Sequence, residues 1–181
     1  MYTESFLLEK LAQIESILSS VSSTDKNEDI GVLAGNSGIA LFHFYYAKLL
    51  QDESKADIGE EILAEVIGSI NEGYSFPTFC SGIAGGAWVF ELLKEEEMID
   101  LDTDDLLSGL DDYLLQAIRH MGTTDNFYDF LHGVMGIGFY FLKRYQNTES
   151  TELKEGYKKI LLEVISVLDT TAIKEDHTAK W

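Results

Sequence analysis

The sequence has only one cysteine and one proline in 181 residues. An internal disulfide is excluded because Cys80 has no second cysteine to pair with, so a reducing, cytoplasmic compartment is expected. Pro77 falls in a break of the helical pattern at Gly73–Pro77. Long apolar runs are also missing, and none approaches the roughly 20 residues that a membrane-spanning helix needs. The N-terminus lacks the basic region of a signal peptide.

Basic residues are scarce as well. The chain has 13 lysines and arginines against 32 aspartates and glutamates, which gives a net charge of −19. Nucleic acids and anionic membranes need a basic protein face, so neither is expected as a partner, whereas a cationic peptide is allowed. The negative charge is interpreted as solvated outer helix faces. Under this interpretation the pairs Asp104–Asp105 and Asp111–Asp112 are surface charges on an outer helix.

Three similar glycine-led segments repeat along the chain at a spacing of roughly 50 residues. Placing Gly38, Gly82 and Gly133 in register aligns three lines, Ser37–Ala40, Ser81–Ala84 and His132–Met135. Each line continues into an aromatic run. These stretches are nearly apolar on every side, which is typical of buried helices. The repetition predicts an architecture built of helical hairpins.

Amphipathic segments alternate with the buried ones. Outer helices are predicted at 3–22, 54–72, 103–121 and 151–169, and inner helices at 37–51, 81–97 and 132–146. Short connections make successive helices antiparallel, so all inner helices point the same way and their glycine-rich starts collect at one end. Function is expected at that end, because helix N-termini present free N–H groups and partial positive charge. No strand is predicted, and residues 174–181 are expected to be a polar tail.

The segments Ser81–Gly85 and Tyr128–Gly136 resemble lines of the lanthionine synthetase C-like family, and the second is similar to that family's Tyr-Asp-x-x-x-Gly-x-x-Gly segment. The resemblance implies an all-α, α/α-toroid fold, in which outer and inner helices alternate around a central cavity. It implies a precursor peptide substrate that contains cysteine and dehydroamino acids. It also implies a zinc ion, held by two cysteines and a histidine. The zinc activates the cysteine thiol, which adds to dehydroalanine or dehydrobutyrine and closes a thioether ring, as in lantibiotic biosynthesis.

The family's zinc motifs, a Cys-x-Gly-like segment and a Cys-His-Gly segment, do not occur in this sequence. Its three and a half hairpins also fall short of a ring of six or seven. We therefore expect residues 1–181 to be a single partial toroid domain, the N-terminal part of a longer protein, with no cofactor of its own and no activity alone. Zinc is implied for the full-length family member. The last outer helix lacks an inner partner, so its exposed apolar surface is expected to be an interface, including one for self-association.

Asp129 is the candidate catalytic residue, because it matches the family aspartate just ahead of the third inner helix. In the family this carboxylate assists an acid–base histidine of a later repeat, which it can orient or supply with a proton. The alternative is that Asp129 only caps the helix, since aspartate is a favoured capping residue. Tyr128, His132 and Cys80 are the candidate pocket residues. Cys80 and His132 are too few to predict a metal site.

Other polar residues of the inner helices are interpreted structurally. Ser37 and Ser81 are expected to cap helices, and His43 is expected to be a hydrogen-bonded core histidine. Two other functions stay open beside the cyclase. One is a non-catalytic α/α scaffold that binds a peptide or protein through its exposed inner edge. The other is a sugar-processing toroid, which is disfavoured because no carboxylate pair maps to the inner-helix starts.

Overall fold

A computed structural model describes residues 3–21, 28–123, 127–176 and 178–180. Within these residues the chain forms eight helices and two short strands. The helices are α1 (Glu4–Val21), α2 (Asn36–Leu50), α3 (Glu53–Asn71), α4 (Ile83–Glu95), α5 (Thr103–Leu106), α6 (Ser108–Met121), α7 (Val134–Asn147) and α8 (Thr151–Thr171). The strands are β1 (Ile173–Glu175) and β2 (Thr178–Lys180). No helix among the described residues is long and apolar enough to cross a membrane.

The predicted alternation of outer and inner helices is confirmed. The helices α2, α4 and α7 contribute most of the core, and α3, α6 and α8 each turn an apolar stripe toward them. As predicted, Phe44 is buried in this core and Trp88 packs against it. The first helix is only partly covered by the rest of the protein. Several large apolar side chains of α1 are exposed to solvent: Phe6, Leu7, Leu8, Ile14 and Ile17.

One predicted outer helix is divided. The segment 103–121 forms α5 and α6, which meet at Leu107, a residue with φ −98° and ψ −1°. Leu107 is 2% exposed and belongs to the core. The predicted outer helix is therefore interrupted at a buried leucine.

Outer and inner helices begin in different ways. Three outer helices have a side-chain cap that accepts a backbone N–H: Asp52 before α3, Asp102 before α5 and Ser150 before α8. The inner helices each begin after a glycine that has no side-chain cap: Gly35 before α2, Gly82 before α4 and Gly133 before α7. The first N–H groups of the inner helices must therefore find backbone partners.

The prediction of no strand is wrong in the polar tail, where β1 and β2 pair antiparallel with Ile173 opposite Lys180. Lys180 also pairs with Glu175 at 2.6 Å across the hairpin. Both strands are fully exposed, so no period-two apolar pattern marked them in the sequence.

Two carboxylates predicted to be surface charges are instead bound to a buried arginine. Arg144 lies in the last turn of α7 and is 1% exposed. Its Nη1 lies 2.7 Å from Glu91 and 3.0 Å from Asp104, and its Nη2 lies 2.9 Å from Asp111. The prediction for Asp104 and Asp111 is therefore wrong, and it failed because their partner stands far away in the sequence. Their neighbours Asp105 and Asp112 are exposed.

Candidate functional site at the glycine-rich helix starts

The loops ahead of the three inner helices lie side by side at one end of the molecule. The carbonyl of Cys80 accepts the N–H groups of Leu33 and Ala34, each at 3.0 Å. The N–H of Cys80 in turn donates to the carbonyl of Leu131 at 2.8 Å. This backbone ladder joins the first loop to the second and the second to the third, as the sequence predicted for the glycine-rich starts.

All three loops close on their helices through the same backbone hydrogen bond. The first helical N–H donates to a carbonyl seven residues earlier: Asn36 to Asp29, Ile83 to Phe76 and Val134 to Phe127. A second glycine follows in the first turn, where the helix touches its own loop. A Cβ at Gly85 would overlap the carbonyl oxygen of Phe79, and one at Gly136 would overlap that of Phe130. The motif is therefore Gly-x-x-Gly in each repeat, and it serves close backbone approach.

The loops also correct the predicted register. Gly82 and Gly133 are equivalent, as predicted, but their counterpart in the first repeat is Gly35 and not Gly38. The predicted register was wrong because Ser37–Ala40 and Ser81–Ala84 have the same sequence, which places Gly38 opposite Gly82.

Neither serine is a helix cap. Ser37 is buried inside α2 and donates to the Ile30 carbonyl at 2.5 Å. Ser81 lies 3.1 Å from the hydroxyl of Thr78 and stands ahead of the capping residue Gly82. The prediction that Ser37 and Ser81 cap helices is therefore wrong, because a glycine occupies the capping position of each helix.

Asp129 holds the turn of the third loop. Its Oδ1 accepts the N–H groups of Leu131 and His132, both at 2.8 Å. The same oxygen lies 3.6 Å from Nδ1 of His132, and about half of each side chain is exposed. Asp129 therefore caps the turn before the helix and not α7 itself, which Gly133 caps. A carboxylate and an imidazole stand together here, both open to solvent.

The other two pocket candidates are near the third loop to different degrees. Cys80 has a partly buried free thiol, and its backbone is bonded to the residue next to His132. Tyr128 is half-buried and adjoins Asp129 in the loop. Its predicted pocket role stays a prediction, as do those of Cys80 and His132.

Aromatic side chains from equivalent positions of two repeats stack beside the third loop. Phe79 lies 4.9 Å from Phe130, and Trp88 lies 5.8 Å from Phe139, measured between ring centroids. The indole N–H of Trp88 is buried without a hydrogen-bond partner. Trp88 and Phe139 belong to the aromatic runs of the predicted repeat, whereas nothing in the sequence indicated that they pack together with Phe79 and Phe130.

His43 is a core histidine, as predicted, but its Nδ1 is buried without a hydrogen-bond partner. Burial lowers the pKa of His43 below its ordinary value, while Glu15 opposes this effect. The imidazole is therefore held neutral inside α2, away from the loops.

A model of a protein family matches residues 27–181, and its description is lanthionine synthetase C-like protein. The chain belongs to the lanthionine synthetase C-like family. This match spans all three glycine-led loops and their helices, and it agrees with the helical fold. A search of curated protein sequences found no significant match.

Zinc is the cofactor of lanthionine synthetase C-like cyclases, and a site for it depends on the number of ligands that the chain brings together. Structural and catalytic zinc sites take three or four protein ligands. Among the residues that the structure describes, no group of three or more histidine, cysteine, aspartate or glutamate side chains is placed to hold a metal ion. The described part of this chain therefore does not fit zinc, and no step through the metal is derived for it.

Proposed function

We propose that this chain forms the glycine-rich side of the cavity in a lanthionine synthetase C-like protein that closes thioether rings in a peptide. In that reaction the cysteine sulfur bonds to the β-carbon of dehydroalanine or dehydrobutyrine. The thiol gives up its proton, the carbon–carbon π bond breaks, and the α-carbon takes up a proton, so that the net reaction adds the S–H group across the double bond. Asp129 is proposed to assist this proton transfer by orienting an acid–base histidine. Residues 1–181 would then be consecutive hairpins of the N-terminal part of an α/α toroid.

The observation that carries this proposal is that, of the three equivalent loops, only the third has a carboxylate at this position. At the position equivalent to Asp129, the second loop has Thr78, whose hydroxyl accepts the N–H of Ser81 at 3.4 Å. The first loop has Gly31 there, and the carbonyl of Cys80 accepts the corresponding N–H groups of Leu33 and Ala34. The third loop therefore differs from the other two by a negative charge at this position, and 52% of the Asp129 side chain is exposed.

We further propose that this chain does not close rings by itself, because thiol activation in the family is the task of zinc. The unpaired Cys80 supports a cytoplasmic location. The substrate would be a precursor peptide with cysteine and dehydroamino acids, and the net charge of −19 favours a cationic one.

Peptide binding tests whether Asp129 lies in the cavity that receives the substrate. The probe is a synthetic cationic peptide with one cysteine and one dehydrobutyrine, titrated calorimetrically into the wild type, Asp129→Asn and the control Asp112→Asn, an exposed carboxylate of α6. We expect Asp129→Asn to weaken binding several-fold and the control to bind as the wild type. Equal binding by all three would contradict the proposal.

Metal content and ring formation test the second part. We expect substoichiometric zinc in the purified chain by elemental mass spectrometry. With the same peptide, we expect no loss of alkylatable thiol beyond the protein-free rate. One zinc per chain together with ring formation would overturn the statement that this chain is inactive alone.

A non-catalytic scaffold is the second candidate, and the exposed edge of α7 favours it. Phe130 and Phe139 at this edge are each 38% exposed. If the edge binds the peptide, Phe139→Ala weakens binding while Asp129→Asn does not. The same titration therefore separates the two functions.

A further inference from the structure

The first repeat has an imidazole where the other two have a phenyl ring. In the register set by the capping glycines, His43 is equivalent to Phe90 and Phe141. All three side chains are buried, at 2%, 2% and 0% exposure. Within the described part of the chain, Nδ1 of His43 has no hydrogen-bond partner. An apolar ring fills this position in the other repeats, so what His43 adds is a group that can take up a proton.

His43 lies between the two helices that flank α2, which are α1 and α3. On the α3 side, a Cβ at Gly59 would lie 3.2 Å from the carbonyl oxygen of Ala40. On the α1 side, Ile14 and Ile39 line one cavity. His43 follows Ile39 by four residues and Ala40 by three, so it lies one turn beyond both on the same side of α2. The imidazole is thus placed where α1 and α3 meet on α2.

An ion pair closes this junction. Glu15 of α1 lies 2.8 Å from Lys55 of α3, and their side chains are 21% and 25% exposed. Of residues 4–19 in α1, only Leu11, Glu15 and Leu18 are partly buried, and the others are exposed. The attachment of α1 therefore depends chiefly on two leucines and this one ion pair.

The two charges of the ion pair also act on the imidazole. Burial is the largest effect and lowers the pKa of His43, Glu15 opposes it, and Lys55 adds to it. The pKa of Lys55 is raised, first by its bond to Glu15 and also by Asp52, which caps α3. Lys55 therefore stays charged, and a proton on His43 would place a second positive charge near it in a buried site.

We propose that His43 is a pH-sensitive latch, which keeps α1 docked on α2 and α3 while the imidazole is neutral and releases α1 when it is protonated. Release gives the ring access to water, which its charged form requires. Helices owe most of their stability to tertiary packing, so α1 frays once it is released. Release also uncovers one side of the first glycine-rich loop, because Ile14 and Leu18 line a cavity together with residues 32–35. This role goes beyond the proposed cyclase role and does not depend on it.

The direction of the pH effect follows from proton linkage. With α1 released, His43 titrates near its ordinary pKa of 6.5, whereas its pKa in the docked state is lower. Well above pH 6.5 the imidazole is neutral in both states, and docking is at full strength. As the pH falls below 6.5, the released state takes up the proton first, so docking weakens by up to about tenfold per pH unit.

Amide hydrogen exchange, measured by mass spectrometry between about pH 7.5 and about pH 5.5, tests the latch. The pH dependence of the intrinsic exchange rate is divided out, and carboxylates with ordinary pKa values stay ionised over this range. We expect the protection of α1 in the wild type to fall toward the acid end by up to about tenfold per pH unit, while that of α7 stays nearly constant. His43→Phe, which restores the residue of the other two repeats, should keep α1 protected throughout. The control His120→Gln, in the last turn of α6, should behave as the wild type.

Three results would overturn the latch. The first is a wild type whose α1 is equally protected at both ends of the pH range. The second is an acid-dependent loss that persists in His43→Phe, because other groups would then cause it. The third is a parallel loss of protection in α7, because acid would then weaken the whole fold. Circular dichroism verifies that each variant is folded, and His43→Leu replaces His43→Phe if the larger ring does not fit.

Discussion

Arg144 shows how a single buried residue ties several elements together. Besides its three carboxylates, it donates to the Thr103 carbonyl at 3.0 Å and to the Tyr157 hydroxyl at 2.6 Å. Burial alone would lower the pKa of Arg144, but Tyr140, Asp111 and Glu91 raise it above its ordinary value. The guanidinium therefore stays charged and links α7 to α4, α5, α6 and α8.

Removing this guanidinium should be costly. In Arg144→Met, Glu91 stays buried with its charge partner gone, and breaking a buried ion pair costs about 3–5 kcal/mol. We expect a loss of that size in the free energy of unfolding, measured by urea denaturation. The matched control is Arg119→Met, whose ion pair with Glu163 at 2.8 Å is largely exposed and should change stability little. Equal losses for both variants would show that Arg144 does not hold the core.

Two tyrosines beside Arg144 should make the fold less stable at alkaline pH. Burial, followed by the negative charge of Asp111, raises the pKa of Tyr140 well above 10.0. The same two causes, burial and the charge of Asp111, raise the pKa of Tyr157. In the unfolded chain these hydroxyls ionise near pH 10, while in the folded chain they remain neutral.

Below pH 10 both tyrosines are neutral in the folded and the unfolded chain, and their full contribution to stability is present. As the pH rises above 10, the unfolded chain ionises first, so the free energy of unfolding should fall. Urea denaturation at several pH values measures the slope. Tyr140→Phe lowers stability at neutral pH, because Asp111 loses a donor at 2.5 Å, but it should flatten the alkaline slope. A variant as steep as the wild type would assign the slope to other groups.

At the scale of elements, the alternation of outer and inner helices could be predicted, because it depends on the spacing of apolar residues within each segment. Amphipathic stripes marked α3, α6 and α8, and all-apolar glycine-led runs marked α2, α4 and α7. The proximity of Asp129 and His132 also followed from sequence, since they share one turn.

What sequence could not supply depended on distant or backbone contacts. The partners of Arg144 lie on other elements, and nothing near Asp104 or Asp111 in the sequence indicates their burial. The true register needed the loop hydrogen bonds, because the letters around Gly38 imitate those around Gly82. The equivalence of Gly31 with Asp129 became visible only with that register, whereas the equivalence of Thr78 with Asp129 follows from the predicted alignment of Gly82 with Gly133.

The Gly-x-x-Gly loops predict opposite effects for two glycine-to-alanine substitutions. In Gly85→Ala the new methyl group would overlap the Phe79 carbonyl, and forced overpacking costs about 1–3 kcal/mol. Gly156 in α8 has open space around its Cβ position, so Gly156→Ala should stabilise by about 0.4–1 kcal/mol through helix propensity. Thermal and urea denaturation of both variants measure the difference. Stabilisation by Gly85→Ala would show that the loop is not held against its helix.

At the scale of the whole molecule, the acidic charge is unevenly placed. The inner helices α2 and α7 contain no acidic residue, whereas the solvent face of the outer helices carries exposed glutamates and aspartates, such as Glu60, Glu61 and Glu65 on α3. Buried carboxylates are matched to Arg144, so the unbalanced charge lies on the outside. The repeats thus keep their outer helices in water through charge and join their inner helices through apolar packing.

This distribution predicts that salt stabilises the fold. Thirteen basic residues cannot neutralise 32 acidic ones, so repulsion among outer carboxylates opposes the compact state. Sodium chloride screens these exposed charges and should raise the free energy of unfolding, while the buried Arg144 cluster is screened much less. Urea denaturation with increasing salt, at one low protein concentration to limit self-association, measures the effect. A decrease in stability with salt would mean that exposed ion pairs such as Arg119–Glu163 outweigh the repulsion, and that the acidic surface is not a net cost to the fold.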